Sequence, residues 1–352
     1  NIFKILIKKK KNEIIISPYT LPEVISAIIY AGAKPVYVDI DVKTGLPNIK
    51  KLSKLINNKT AGLVITHLYS NSENITSFKK KFFNKLIIVE DTAINLGAKL
   101  NNGKKLGTIF DYGFYSFGIM KNLCAFNGGL IYSKSKKKLN EIESNLHKNK
   151  NFPKFRAFKI IIFCILIDIF FNKYLFTYFT FHILKFCKKF KIKFFEKIIY
   201  PGVYPKILSK KPDHYDYNFF SNFSYIGIKN IFLLNKRTND RIRKVKLYEK
   251  YLSKNLLINN FKNYFDNSFL EFPILLKKSK NKIISKKLFE SGYDIRHTWY
   301  VNNFRFRKLN NKKNIFRNSD LLHDYILTLP TNDYFLESDI KKICRIINKY
   351  EC

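Results

Sequence analysis

Apolar positions along the first half of the chain alternate between two spacings. NEIIISPYT (12–20) is a continuous apolar run closed by turn residues, the mark of a buried strand. LPEVISAIIYAGA (21–33) carries apolar residues at helical spacing and stops at Gly32, and KPVYVDID (34–41) is again strand-like. The same alternation continues through the short amphipathic helix NIKKLSKLI, the strand TAGLVITHLYS (60–70), the helix ITSFKKKFFN and the strand KLIIVEDTA (85–93). Strand–helix–strand repetition of this kind predicts a largely parallel sheet covered by helices. Ligands in such sheets bind at the carboxyl ends of the strands.

Two further strands, DYGFYSFG and GGLIYS, flank a turn that carries Lys121, and KSKKKLNEIESNLHKN reads as a polar helix. From about residue 152 the pattern changes. FRAFKIIIFCILIDIFFNKYLFTYFTFHILKFCKKFKIKFF is strongly apolar and aromatic, with lysines at its borders. Its clean apolar run is too short to span a bilayer and Asp168 interrupts it, so helices lying on a membrane face or packing on a partner subunit are expected. A buried helical hairpin is the plain alternative. Beyond it, residues 218–256 form one long helix or two. FLEFPILLK and YILTLPT are strands, NKIISKKLFESGYDI is a helix ended by Gly292, and ESDIKKICRIINKY is a terminal helix with acids in its first turn. The NIFKILI segment reads as the tail of a helix.

Composition changes this picture in one respect. The 352 residues are 46% hydrophobic, as a globular core requires, but 65 Lys and Arg face 26 Asp and Glu, a formal charge of +39. One reading is attraction to polyanions or an anionic membrane surface. The other is compositional bias, because Lys, Asn, Ile, Phe and Tyr are all over-used together. Either way the field favours anionic ligands. No nucleic-acid-binding motif is present and the lysines are spread along the chain, so nucleic acid is not an expected partner. Five cysteines, none in a C-x-x-C pair, argue against a disulfide framework and a structural metal site, and fit a reducing cytoplasm. No signal peptide is read at the start, and the chain is expected to lack its natural beginning.

The candidate chemistry lies at two strand ends. One supplies Asp91 and the other Ser116 and Lys121, all expected at the same edge of a parallel sheet. An acid, an amine and a hydroxyl there suggest a pyridoxal phosphate pocket. The lysine would bond the aldehyde, the carboxylate would keep the pyridine nitrogen protonated, and the serine with backbone N–H groups would hold the phosphate. Each residue alone has a duller meaning: Asp91 a helix cap, Lys121 one lysine among many, Ser116 nothing. Only the joint pattern carries weight.

PYTLPEVISAIIYAGAKPVYVDID, VITHLYS, VEDTAINLGA, GTIFDYGFYSFGIMKN, NGGLIYS and LTLPT follow the order and spacing of the DegT/DnrJ/StrS sugar-nucleotide aminotransferases, which the chain resembles over nearly its whole length apart from about 150–215. The resemblance implies an α/β, fold-type-I transferase: a mostly parallel mixed sheet sandwiched by helices, with a smaller C-terminal α+β domain. Expected boundaries are a cofactor-binding large domain at 1–150, an apolar basic helical insert at 151–215, an interdomain helical region at 216–256 and a small domain at 257–352. By the same resemblance Lys121 is the Schiff-base lysine, Asp91 the pyridinium partner and Ser116 a phosphate ligand, while Thr20 faces the ring. Asn218 would reach the neighbouring subunit's phosphate, making a homodimer the expected state. Arg296, Tyr19 and His67 are the expected substrate-side residues. The implied reaction moves an amino group from an amino acid, with glutamate the expected donor, to a nucleotide-linked keto-sugar for surface glycan synthesis. The expected location is cytoplasmic, with peripheral contact on the inner membrane face through 157–200.

The sequence departs from the family where Ile94 replaces Gln or His, Leu21 a stacking aromatic and Phe220 an arginine. Phosphate contacts supplied by an upstream segment are expected to be missing, each charge-assisted hydrogen bond being worth about 1.5–3 kcal/mol. The competing expectation is a degenerate member serving as a membrane-surface scaffold. A dehydrating member would carry His at position 121, so Lys121 argues for transfer.

Overall fold

The computed structural model describes residues 1–351 apart from 70, 83–84, 191, 193–210, 259–260, 296–299 and 307–314. Its centre is a six-stranded sheet built from β1 (Glu13–Ile16), β3 (Lys34–Tyr37), β4 (Thr60–Thr66), β5 (Ile88–Asp91), β6 (Tyr112–Ser116) and β7 (Gly129–Ser133). The spatial order is β3-β1-β4-β5-β6-β7. The pairings are parallel except for β7, which runs antiparallel to β6.

Period-two alternation distributes the strand residues between two cores. Ile14, Ile16, Val64 and Val89 pack against the helices Ile2–Leu6, Pro22–Tyr30 and Lys136–Leu146. Ile15, Leu63, Ile65 and Ile88 face the helices Ile49–Leu55 and Ser72–Phe82. The expected sandwich of helix, sheet and helix is therefore present. The sequence periodicity predicted it because each strand reads apolar on both faces.

The C-terminal part holds a two-stranded antiparallel sheet of β8 (Glu271–Leu275) and β10 (Ile326–Pro330), packed with the helices Leu234–Tyr251, Asn281–Glu290, Arg317–Tyr325 and Glu337–Glu351. Gly292 follows its helix at φ +97°, the left-handed geometry that lets the chain leave a helix at a residue without Cβ. Tyr19, Ile40, Leu68 and Tyr69 belong to the same core cluster, so this part is packed onto the carboxyl edge of the large sheet. A third pairing, β2 (Tyr19–Thr20) with β9 (Val301–Asn302), joins the two parts directly. Asn303 reinforces it by donating from Nδ2 to the carbonyls of Pro18 (3.0 Å) and Thr20 (2.7 Å).

The 218–256 region divides into the helices Ser224–Phe232 and Leu234–Tyr251. The insert begins as the helix Lys154–Phe170, turns through Lys173–Leu175 and a π-helical stretch Phe176–Thr180, and returns as Phe181–Lys189. Among the described residues no helix is long and apolar enough to cross a membrane.

Candidate active site

Glu90 and Asp91 end β5, and successive residues of a strand point to opposite faces. Glu90, fully buried, serves the scaffold: its carboxylate accepts from the backbone N–H groups of Gly107 (2.8 Å), Ile109 (2.7 Å) and Phe110 (2.8 Å). His67 Nε2 is 2.9 Å from the same carboxylate. His67 is therefore a buried member of this scaffold network rather than a side chain at an open pocket. Its Nδ1 has no hydrogen-bond partner among the described residues.

Asp91 turns the other way. It accepts from the Ala93 N–H (3.1 Å) and from the Thr66 hydroxyl (3.4 Å), and Thr66 Oγ1 lies 3.4 Å from that of Thr20. Burial raises the Asp91 carboxyl above its ordinary value; the Ala93 N–H and the charge of Lys121 oppose that rise. Thr20, brought in by the β2 pairing, thus stands on the Asp91 side.

Lys121 comes from the turn that follows β6. Its N–H donates to the Gly118 carbonyl (3.0 Å), while Phe117 pairs with Gly128 and Ala125 with Phe117 to close the loop. Burial holds the Lys121 amine below the usual lysine value, with the charges of Asp91, Glu271 and Glu23 pulling the other way. Its Nζ makes no hydrogen bond or ion pair among the described residues. Ser116 Oγ accepts from the Gly118 N–H (3.4 Å). A Cβ placed on Gly118 would sit 3.6 Å from Ser116 Oγ and 3.9 Å from Lys121 Cγ, so hydroxyl and amine stem flank one small open space. The structure therefore brings Asp91, Lys121, Ser116 and Thr20 to one edge.

Asn122 fixes this turn. Its buried amide donates to the carbonyls of Ile94 (3.4 Å) and Leu96 (3.0 Å), just past Asp91, and its Oδ1 accepts from Arg241 of the helix Leu234–Tyr251. Burial lowers that guanidinium to about 10, with the neighbouring Arg237 adding to the effect. The C-terminal part reaches the same edge: Ser268 Oγ donates to the Ile94 carbonyl (2.6 Å) and Asn267 Nδ2 to that of Leu68 (2.9 Å). Tyr300, buried 6.2 Å from the Tyr19 ring, has its hydroxyl pushed well above the ordinary range by burial and then by the charges of Asp91 and Glu271. The sequence reading missed Thr66, Glu90, Asn122, Glu271 and Tyr300. The first three neighbour residues already singled out; Glu271 and Tyr300 carry no local signal.

Asn218 is elsewhere. It donates from Nδ2 to the Asn149 carbonyl (3.4 Å) and its N–H bonds Lys150 (2.8 Å), alongside Phe219, which lies against Gly128. Arg296 lies outside the described residues. The departures from the family have local packing. Phe220, half-buried, lies in an aromatic cluster with Phe152 and Phe223 (ring centroids 6.0 and 5.0 Å), and Ile94 and Leu21 pack on the C-terminal core.

Residues 3–154 match the model of the DegT/DnrJ/EryC1/StrS aminotransferase family. Over 128 residues the chain is 31% identical to the GDP-perosamine synthase of Escherichia coli O157:H7, covering 36% of this chain and 34% of that one. Over 124 residues it is 32% identical to a UDP-N-acetyl-3-dehydro-alpha-D-glucosamine 3-aminotransferase of Acidithiobacillus ferrooxidans, covering 34% and 33%. The chain thus spans about a third of the length of these curated relatives. The fold aligns with a PLP-dependent aminotransferase from Bacillus cereus at TM-score 0.67 and 16% identity, over 98% of this chain and 81% of that one. The chain is thus similar to the DegT/DnrJ/EryC1/StrS aminotransferase family through residues 3–154, less than half of its length, and its fold is similar to that of the solved PLP-dependent aminotransferase.

Proposed function

We propose that the chain is a pyridoxal phosphate-dependent aminotransferase acting on a nucleotide-linked keto-sugar, with an amino acid, glutamate by expectation, as donor. The carrying observation is the partly buried Lys121 amine, without a hydrogen-bond or ion-pair partner among the described residues and facing the charge of buried Asp91. The donor set fits the cofactor. A buried carboxylate with spare acceptor capacity suits a protonated ring nitrogen, and the open space at Gly118, bordered by a hydroxyl and an amine, suits a phosphorylated ligand.

When bound, the cofactor serves as an electron sink and carries the amino group between donor and acceptor. Lys121 Nζ would hold the cofactor and then take and return the substrate proton; a lowered amine value makes the neutral base available nearer neutral pH. Asp91 would fix the ring nitrogen's proton. Ser116 Oγ and the Gly118 N–H would face the phosphate, and Thr20 the ring. The names of the relatives support nucleotide sugars as the substrate class, and the chain's charge of +39 suits a diphosphate. The product would feed surface glycan synthesis from the cytoplasm. Division into a cofactor-binding part at 1–150 and a substrate-side part at 257–352 belongs to the same reading, as does Asn218 serving the pocket of a second copy.

Purified protein mixed with pyridoxal phosphate should turn yellow, and added glutamate should convert the cofactor to its amine form. Borohydride reduction followed by peptide mapping should place the pyridoxyl group on Lys121, and Lys121→Ala should abolish both signals. A colourless parent, or label on another lysine, overturns the proposal.

A further inference from the structure

The helix Lys154–Phe170 is amphipathic with its polarity reversed. Its inward contacts are Ala157 and Cys164, the only buried residues on it. Phe155, Phe158, Ile162, Ile165, Leu166 and Ile169 recur at three- and four-residue spacing and are all exposed, Phe155 at 67%. A water-facing helix would put several charges there. The stripe borders one, Asp168, exposed next to Ile165 and Ile169, while Lys154 and Lys159 are exposed beside it.

The rest of the insert extends this surface. Thr180 Oγ1 donates to the Phe170 carbonyl (2.8 Å) and closes the hairpin, whose bend exposes Tyr174, Tyr178 (78%) and Phe179. The return helix Phe181–Lys189 is docked on the C-terminal part: the Phe181 ring lies 5.0 Å from Phe289, and Lys188 Nζ is 3.5 Å from Asp294 Oδ1. Lys185 and Lys189 on it are exposed. The outward stripe is thus held by a seated hairpin.

We propose that this face is an in-plane docking surface for an anionic lipid bilayer. Seventeen residues give a helix about 25 Å long, and no described helix has the length and hydropathy to cross; lying flat buries the whole stripe at the level of the headgroups. Tyrosine and phenylalanine at the bend suit the interface, where an apolar ring meets a wet edge. Charge selects the occupant. A second copy docked here would set the same exposed Lys154, Lys159, Lys185 and Lys189 against this surface, whereas anionic headgroups complement them. The inference stands apart from the aminotransferase reading, because it uses neither Lys121 nor the cofactor.

The test is flotation of the purified full chain with mixed phosphatidylglycerol–phosphatidylcholine vesicles, with phosphatidylcholine alone as comparison. The parent should float with the anionic vesicles. Ile162→Gln, Ile165→Gln and Leu166→Gln together should weaken binding about tenfold or more, since exposed positions lose apolar insertion and nothing else. Circular dichroism and the melting temperature should be unchanged. Should the triple variant melt early, Tyr178→Ser with Phe179→Ser is read in the same way. A parent that stays at the bottom with anionic vesicles, or a folded variant that floats as well as the parent, overturns the proposal. So does a variant that turns a dimer into a monomer in sedimentation while the parent binds no vesicles, which makes a second copy the occupant.

Discussion

At the scale of single residues the candidate site pairs a buried carboxyl with a partly buried amine, each disfavoured by its surroundings. Burial pushes the Asp91 carboxyl above 3.8 and the Lys121 amine below 10.5, and each charge partly relieves the other. A carboxyl raised in the folded state is held at no cost in acid, below its unfolded value. The cost develops as pH rises from that value through the folded one. Asp91→Asn keeps shape and removes the charge, so the cofactor-free variant should melt level with the parent near pH 3 and gain on it as pH approaches neutrality. In the same protein turnover should fall about a hundredfold or more, as when a preorganised charge is lost from a reacting centre. Melting curves across pH and a transamination assay check both halves. The placing of Asp91, Lys121, Ser116 and Thr20 at one edge was legible because each sits in a short contiguous motif at or next to a strand end. Asn122 was on the page but silent, since nothing local says that an asparagine will bond two carbonyls from a loop some thirty positions upstream and an arginine far downstream.

At the scale of elements, β5 carries two unlike duties on its two faces. Glu90 binds three backbone N–H groups of the 107–110 loop and His67, while Asp91 serves the opposite side. The loop sits close enough that a Cβ on Gly113 would run into the Gly107 carbonyl, so glycine is required by contact there. Glu90→Ala would strand those donors, and about 3–5 kcal/mol of stability should be lost; denaturant titration measures it. The strands of the large sheet were readable because apolar runs bounded by turns leave little choice. The β2–β9 pairing was not, because two-residue strands have no period and their partners lie some 280 residues apart. The helix Arg317–Tyr325 also escaped notice: its first turn is held by Asp39, which accepts from the Asn318 and Ser319 N–H groups. A cap supplied from so far away leaves no local signature.

At the scale of the whole molecule, large apolar surface remains in water. The helix Ser224–Phe232 buries none of its residues, and Tyr225, Ile228, Ile231 and Phe232 are exposed, the last at 80%. Four exposed apolar side chains gathered on one short helix are the pattern of a surface that meets a partner. The expected homodimer is proposed to form through it, close to the Gly227 contact with Ala125 in the Lys121 loop. Ile228→Glu should shift sedimentation from dimer to monomer and leave the monomer's circular dichroism intact. A parent that sediments as a monomer at all concentrations counts against the dimer. The basic excess was visible in the sequence, but which apolar positions face outward was not, because helical periodicity alone does not say which stripe meets the protein.

The double anchorage of Asn122 has a mechanical consequence. One amide ties the amine-bearing turn to the loop beyond Asp91 and to Arg241, on a helix that shares its core with the C-terminal sheet. The Lys121 turn therefore stands on supports from both halves of the polypeptide. A change that loosened the long helix would thus be passed through Asn122 to the amine without altering the pocket wall itself.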